Sequence, residues 1–239
     1  MKDALRNQSG NVLWFILLAV ALLAFLTGVI SRNSASVDQA GNVERARIKA
    51  SSMLNYAKSV EATVQKMLLN GVSENDLNFV DISTAHDNTN CISTDCEVFH
   101  VAGGGIAYRT PAELIGDNTH TDIWHVSTEN RVYLSGCEDV NNRCTELLLI
   151  AKNIPQSICL QINKIQGITN TGGDAPQIQD IFEGTAFTGT YSTTINAISI
   201  GDANVTNDAP EVQGKSAGCV YEFGSGQDIY TFYQVLIPR

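Results

Sequence analysis

Six cysteines are the residues whose type and spacing most directly predict chemistry in this chain of 239 residues. Two pairs are close in sequence, and both spacings suit a local disulfide bridge, whereas the last two cysteines lie far apart. This order predicts the bridges Cys91–Cys96, Cys137–Cys144 and Cys159–Cys219. Other connectivities stay open, while a zinc site is disfavoured because no Cys-x-x-Cys spacing occurs. Disulfide bonds indicate an oxidising compartment, such as a bacterial periplasm or the cell exterior.

The histidines and glycine-rich runs match no catalytic motif. His120, Asp122 and His125 are close in sequence, but in a strand the first two would face away from the third and could not easily share a metal. We therefore expect surface histidines here and at His86. Gly103–Gly105 has no following helix, which favours a turn over a phosphate loop. The sequence predicts no enzyme activity, no metal and no cofactor, although a calcium site in loop 202–208 stays open.

The charge balance narrows the range of partners. The chain has 15 Lys and Arg against 25 Asp and Glu, which gives a formal net charge of −10. A nucleic-acid-binding surface needs clustered basic residues, and here they are scattered, so we expect no nucleic-acid partner. Because only Lys2, Asp3 and Arg6 are charged before Arg32, the acidity belongs to the rest of the chain.

A run of apolar residues follows a short basic leader over residues 1–10. Val12 to Ile30 contains no charged residue and would extend about 28 Å as a helix, close to the ~30 Å of a bilayer core. The sequence therefore predicts a transmembrane helix over 11–31. The basic leader favours a cytoplasmic N-terminus, with a single pass through the bacterial inner membrane and a C-terminal domain in the periplasm or outside the cell. A secretory signal peptide removed near residues 34–36 is the alternative.

Helical periodicity continues beyond the apolar run and predicts an amphipathic helix over residues 32–71. Apolar residues recur at spacings of three and four, and Asn70-Gly71 supplies the stop. The Ala-rich stripe favours packing on the chain's own domain over a coiled-coil seam. It consists of Val43, Ala46, Ala50, Met53, Ala57, Val60, Val64 and Met67.

Residues 72–239 predict a disulfide-bonded α+β globular domain. Pro155 to Ile165 has an apolar side and ends before Gly167, as a helix would. Short β-type runs separated by turn residues predict a sheet. These runs are 97–101, 106–109, 122–126, 131–134, 145–151, 197–200, 219–223 and 230–237. The expected fold class is thus α+β, with a transmembrane helix extended by an amphipathic helix that packs on a C-terminal antiparallel sheet.

The N-terminal layout resembles that of a type IV pilin or pseudopilin. The resemblance rests on the leader MKDALRNQSG, the apolar run after it, the amphipathic continuation to Leu69, and a sheet domain with a late disulfide. It implies that prepilin peptidase cleaves between Gly10 and Asn11, that the new N-terminus is methylated, and that the helices of many copies bundle into a filament. The family usually has Glu at the fifth mature position, where this chain has Phe15. This departure indicates a minor or unusual subunit, an unprocessed chain, or a chain that stays anchored in the membrane.

Together these features predict a non-enzymatic structural subunit or minor component of a bacterial type IV pilus or type II secretion-like filament. The expected partners are the membrane, prepilin peptidase, and copies of this chain or other pilin-like subunits bound through residues 11–69. The alternative is a single-pass, membrane-anchored, exported binding module that does not polymerise.

Overall fold

A computed structural model describes residues 9–120, 122–132, 134, 145–178, 184–192, 196–199, 209–223 and 229–239. The chain forms two compact units, Met1–Arg45 and Ala46–Arg239. The helices are α1 (Ser9–Leu69), α2 (Pro111–Ile115) and α3 (Gln156–Gln166). The strands are β1 (His125–Ser127), β2 (Asn130–Val132), β3 (Leu147–Ala151), β4 (Gln177–Ile178), β5 (Asn196–Ser199), β6 (Ala217–Glu222) and β7 (Ile229–Ile237).

The predicted transmembrane helix over 11–31 lies in the first unit, in the N-terminal part of α1, and the structure corrects this prediction. Within the described part of the chain, no helix is long and apolar enough to cross a membrane. The predicted span counted Val29 and Ile30, whose side chains lie outside the described residues. The single-pass inner-membrane location depended on this span and is wrong with it.

In the second unit, α1 buries the predicted apolar stripe. From Ala46 to Met67 every stripe residue is buried, whereas Val43, in the first unit, is exposed. The stripe joins a core that contains residues of α3, β3 and β7, so packing on the chain's own domain is confirmed for these residues. The helix ends as predicted. Gly71 adopts φ 97°, and the Val72 amide donates to the Met67 carbonyl at 3.1 Å, which pairs an otherwise unsatisfied terminal carbonyl.

The described residues of the second unit form a five-stranded sheet, in the order β1-β3-β7-β6-β4, and a two-stranded sheet of β2 and β5. The antiparallel sheet expected from the sequence is corrected to a mixed one, since β4 pairs with β6 in parallel and β2 pairs with β5 in parallel. Parallel neighbours need a long crossover between them. Residues 179–216 separate β4 from β6 in the sequence, a stretch that is long enough for such a connection. Alternation within a strand identifies its faces but not its direction.

β3 lies between two apolar layers. Leu147, Leu149 and Ala151 face the core that contains α1 and α3. Leu148 and Ile150 face a second apolar cluster with Tyr233 and Val235. Burial on both faces explains why the sequence of β3 is an unbroken apolar run.

The predicted strands 97–101 and 106–109 do not form. Glu97 makes an isolated parallel bridge with Asn78. Residues 101–104 form a turn. At Arg109, the amide donates to the Tyr56 hydroxyl at 2.9 Å, and the carbonyl accepts from the Trp124 indole at 2.8 Å. At Arg109, side chains therefore take the place of a neighbouring strand as hydrogen-bond partners of the backbone.

α3 confirms the predicted helix and covers an edge of the sheet. Gly167 ends it with φ 67°. The buried Asn163 side chain donates to the Cys219 carbonyl at 2.8 Å and accepts from the Cys219 amide at 2.9 Å. Cys159 also forms a disulfide with Cys219. The Asn163 side chain and the disulfide thus hold α3 against the part of β6 that does not pair with β4. There α3 covers a strand edge that would otherwise be exposed.

Candidate functional site

The predicted processing pair lies at the start of α1. Gly10 and Asn11 fall in the first turn of the helix Ser9–Leu69, and the side chain of Asn11 lies outside the described residues. Cleavage between them stays a prediction.

Directly after this pair, α1 has an exposed apolar surface over Val12–Leu26, which we call the apolar segment. Every large apolar side chain in it is exposed, from 42% at Leu18 to 72% at Phe25. The hydroxyl of Thr27, just beyond the segment, donates back to the Leu23 carbonyl at 2.8 Å, so it does not need a partner from outside. Apolar surface on all sides of a helix indicates a helix that becomes buried in a larger structure.

Four of the six cysteines lie in the described residues and form two bridges. Cys91 pairs with Cys96 and Cys159 with Cys219, two of the three pairs expected from the sequence. Cys137 and Cys144 lie outside the described residues. The calcium loop left open over 202–208 lies outside them too.

The expectation of surface histidines is wrong for His86, which is 2% exposed. Its ring packs edge-to-face on the ring of His125, with centroids 5.1 Å apart. The Val126 amide donates to Nε2 of His86 at 3.1 Å, so Nδ1 carries the proton and faces the Ser83 hydroxyl at 3.0 Å. Burial lowers the pKa of His86 to about 4. The sequence hides this role because His86 and β1 are distant in the chain.

His86 closes the outer edge of β1. The Val126 amide points to His86, and the Val126 carbonyl accepts from the Phe187 amide at 2.8 Å. Both backbone groups of an edge residue are therefore paired without a neighbouring strand, which removes a site where another chain could add.

His125, whose ring packs on that of His86, also lines a cleft of about 630 Å³, which we call the polar cleft. Its Nε2 donates to the Gly184 carbonyl at 2.9 Å, so Nδ1 holds the lone pair of the neutral ring. Burial lowers the pKa of His125, which favours that neutral form. The polar cleft is lined by Asp122, Ile123, His125, Glu129, Lys152, Asn153, Gly184 and Thr185.

The strand register explains why distant residues meet in the polar cleft. His125 pairs with Ile150 across β1 and β3, and the same register places Asp122 opposite Asn153. The Asn153 amide donates to the Asp122 carboxylate, and Asn153 has a left-handed φ of 54°. Sequence reasoning singled out Asp122 and His125 but missed Glu129, Lys152 and Asn153, because the register between the two strands is not visible in the sequence.

The structure brings Asp122 and His125 to one cleft, although strand alternation predicted opposite faces. The alternation does not apply because β1 begins only at His125. In the described part of the chain, no group of three His, Cys, Asp or Glu side chains could hold a metal ion.

Gly103 and Gly104 lie in the predicted turn, and glycine is needed there for steric reasons. A Cβ atom at Gly104 would lie 2.1 Å from the Val98 carbonyl oxygen and 2.5 Å from Cγ2 of Thr63 on α1. The glycines thus allow the turn to pack against α1 and do not form a phosphate site.

Comparison with known proteins found no matching family model, no matching curated protein and no matching solved structure.

Proposed function

We propose that this chain is a non-enzymatic structural subunit that assembles with other copies, or with pilin-like subunits, into a filament of the type IV pilus or type II secretion kind. The exposed apolar segment is the observation that carries the proposal. Burying a large apolar side chain stabilises an assembly by about 1.5–3 kcal/mol. Six such side chains would contribute roughly 12 kcal/mol, which is comparable with the cost of association, about 4–15 kcal/mol.

The buried stripe supports the apolar segment as the part of α1 that binds other subunits. From Ala46 to Met67 the apolar face of α1 is already used within the second unit, so it is not free to bind another copy. We therefore narrow the predicted interface, residues 11–69, to the apolar segment. The resemblance to pilins adds processing after Gly10 and a minor-subunit role, in view of Phe15.

Sedimentation of a charge variant tests the assembly. Leu17→Glu places a carboxylate in the apolar segment, where burial without a partner is costly. Ile48→Glu is the matched control because Ile48 is 61% exposed and Leu17 65%, and both lie on α1. We expect Leu17→Glu to lose the sedimenting assemblies of the unmodified chain and Ile48→Glu to keep them. Equal sedimentation of both variants would contradict the proposal.

N-terminal sequencing of protein from its native host tests the processing. We expect a mature chain that begins at Asn11, and Gly10→Val should retain Met1 whereas Gly41→Val should not. A start at Met1, or near Ser36, in the unmodified protein would count against a pilin-like subunit.

The polar cleft favours a second candidate, a binding module that does not polymerise. A cleft of about 630 Å³ lies in the size range of small-molecule sites, about 300–1,000 Å³. A chain that binds a small ligand and remains monomeric at all concentrations would support this candidate over the first.

A further inference from the structure

We propose that the polar cleft binds a zwitterionic ligand that carries both an amine and a carboxylate, of the α-amino acid class. The inference develops the binding candidate and is independent of assembly. It starts from three half-buried charged side chains, Asp122, Glu129 and Lys152. Among the described residues the ion pair is Arg239 with Glu74, at 3.9 Å, so these three charges do not pair with one another.

These charges of both signs nevertheless line the same cleft as His125. Lys152 and Glu129 both act on the ring of His125 through space, and they move its pKa in opposite directions. Opposite charges that line one cleft without pairing can each bind one end of a ligand that carries both charges, through charge-assisted hydrogen bonds.

The hydrogen-bonding groups favour one orientation of such a ligand. The acceptors are the Glu129 and Asp122 carboxylates and Nδ1 of His125, which suit an ammonium group. The donors are the Lys152 ammonium and the Thr185 hydroxyl, which suit a carboxylate.

Two of these groups are fixed before a ligand binds. The His125 ring is held by the Gly184 carbonyl and by the His86 ring. The Asp122 carboxylate is held by the amide of Asn153. A site whose groups are already oriented loses less conformational entropy on binding, which favours affinity for a small ligand.

Equilibrium dialysis of the full chain with labelled L-alanine tests the proposal, whether or not the chain is assembled. Alaninamide keeps only the cation, propionate keeps only the anion, and glucose carries neither charge. We expect saturable binding of L-alanine at millimolar concentrations or below, and competition by alaninamide and propionate at least tenfold weaker than by unlabelled L-alanine. No binding, competition by either analogue within threefold, or displacement by glucose would overturn the proposal.

Two variants locate the site. Lys152→Met and Glu129→Gln should each weaken L-alanine binding at least tenfold, because each removes one charged end of the site. Lys164→Met is the control, since Lys164 is an exposed lysine of α3 outside the cleft, and it should bind within twofold of the unmodified chain. Equal binding by all three variants would place the ligand elsewhere and overturn the proposal. If the cleft variants fail to fold, the competition series on the unmodified chain decides the question.

Discussion

At the scale of single residues, His86 has a larger structural role than its position in a polar loop suggests. The neutral ring accepts a hydrogen bond from the Val126 amide at Nε2 and donates one to Ser83 from Nδ1, and the Val126 bond requires that Nε2 carry no proton. His125 packs beside it, and Lys152 and Glu129 act on His125 in turn. Protonation of His86 would cost the Val126 bond and would place a buried charge against a second imidazole.

Stability should therefore fall in acid. Burial, and then the neighbouring His125, lower the pKa of His86 from 6.5 to about 4. A lowered histidine pKa contributes stability that is complete above the unfolded pKa and is lost as the pH falls toward the folded one. We expect the free energy of unfolding in urea to fall, between pH 7 and pH 4, by about 2–3 kcal/mol more in the unmodified chain than in His86→Gln.

A second histidine supplies the control for the acid experiment. His100 also accepts a backbone amide, from Ala102 at 3.1 Å, but on the surface of a turn. The loss of stability in acid should remain in His100→Gln, because that variant keeps the bond between His86 and the Val126 amide. If His86→Gln loses stability in acid as steeply as the unmodified chain, His86 is not the group responsible.

At the scale of elements, the sequence predicts those whose partners follow from periodicity. α3 and the stripe of α1 were predictable because an apolar face at helical spacing requires a buried neighbour of any kind. The backbone partners of Arg109 were not predictable, since they are the side chains of Tyr56 and Trp124. The polar cleft depends on the register of β1 against β3, which couples Asp122 to a residue 31 positions away. Such long-range pairings follow from tertiary structure and are not encoded in local pattern.

The turn at Gly103–Gly104 depends on the absence of a side chain at position 104. The Cβ of an Ala at position 104 would overlap the Val98 carbonyl oxygen and Thr63 on α1, and backbone cannot move aside cheaply. We expect Gly104→Ala to lower the free energy of unfolding by at least about 2 kcal/mol, as overpacking does. Gly41→Ala, which has nothing within 4 Å of the added Cβ, should leave stability unchanged or raise it. Equal effects of both changes in urea unfolding would contradict this account of the turn.

At the scale of the whole molecule, the two units differ in how their apolar surface is used. The second unit has a two-layer core in which the stripe of α1, α3 and the sheet are mutually buried. The first unit contains the apolar segment, whose side chains have no such cover. We therefore expect the second unit to determine the free energy of unfolding. Of its described disulfide bonds, the one that joins distant parts of the chain should contribute most to that free energy.

The two described disulfides should consequently differ in their effect. Cys159–Cys219 joins residues 60 apart and Cys91–Cys96 joins residues 5 apart. Because a bridge restricts the unfolded chain more when it closes a longer loop, removal should cost about 4 kcal/mol for the first and about 2 kcal/mol for the second. Replacing each pair with alanines and unfolding both variants in urea measures the difference. Equal losses would mean that the entropy of the unfolded chain does not dominate the effect of the bridges. A larger loss on removal of Cys91–Cys96 would show that the loop closed by this bridge stabilises the unit more than the link from α3 to β6 does.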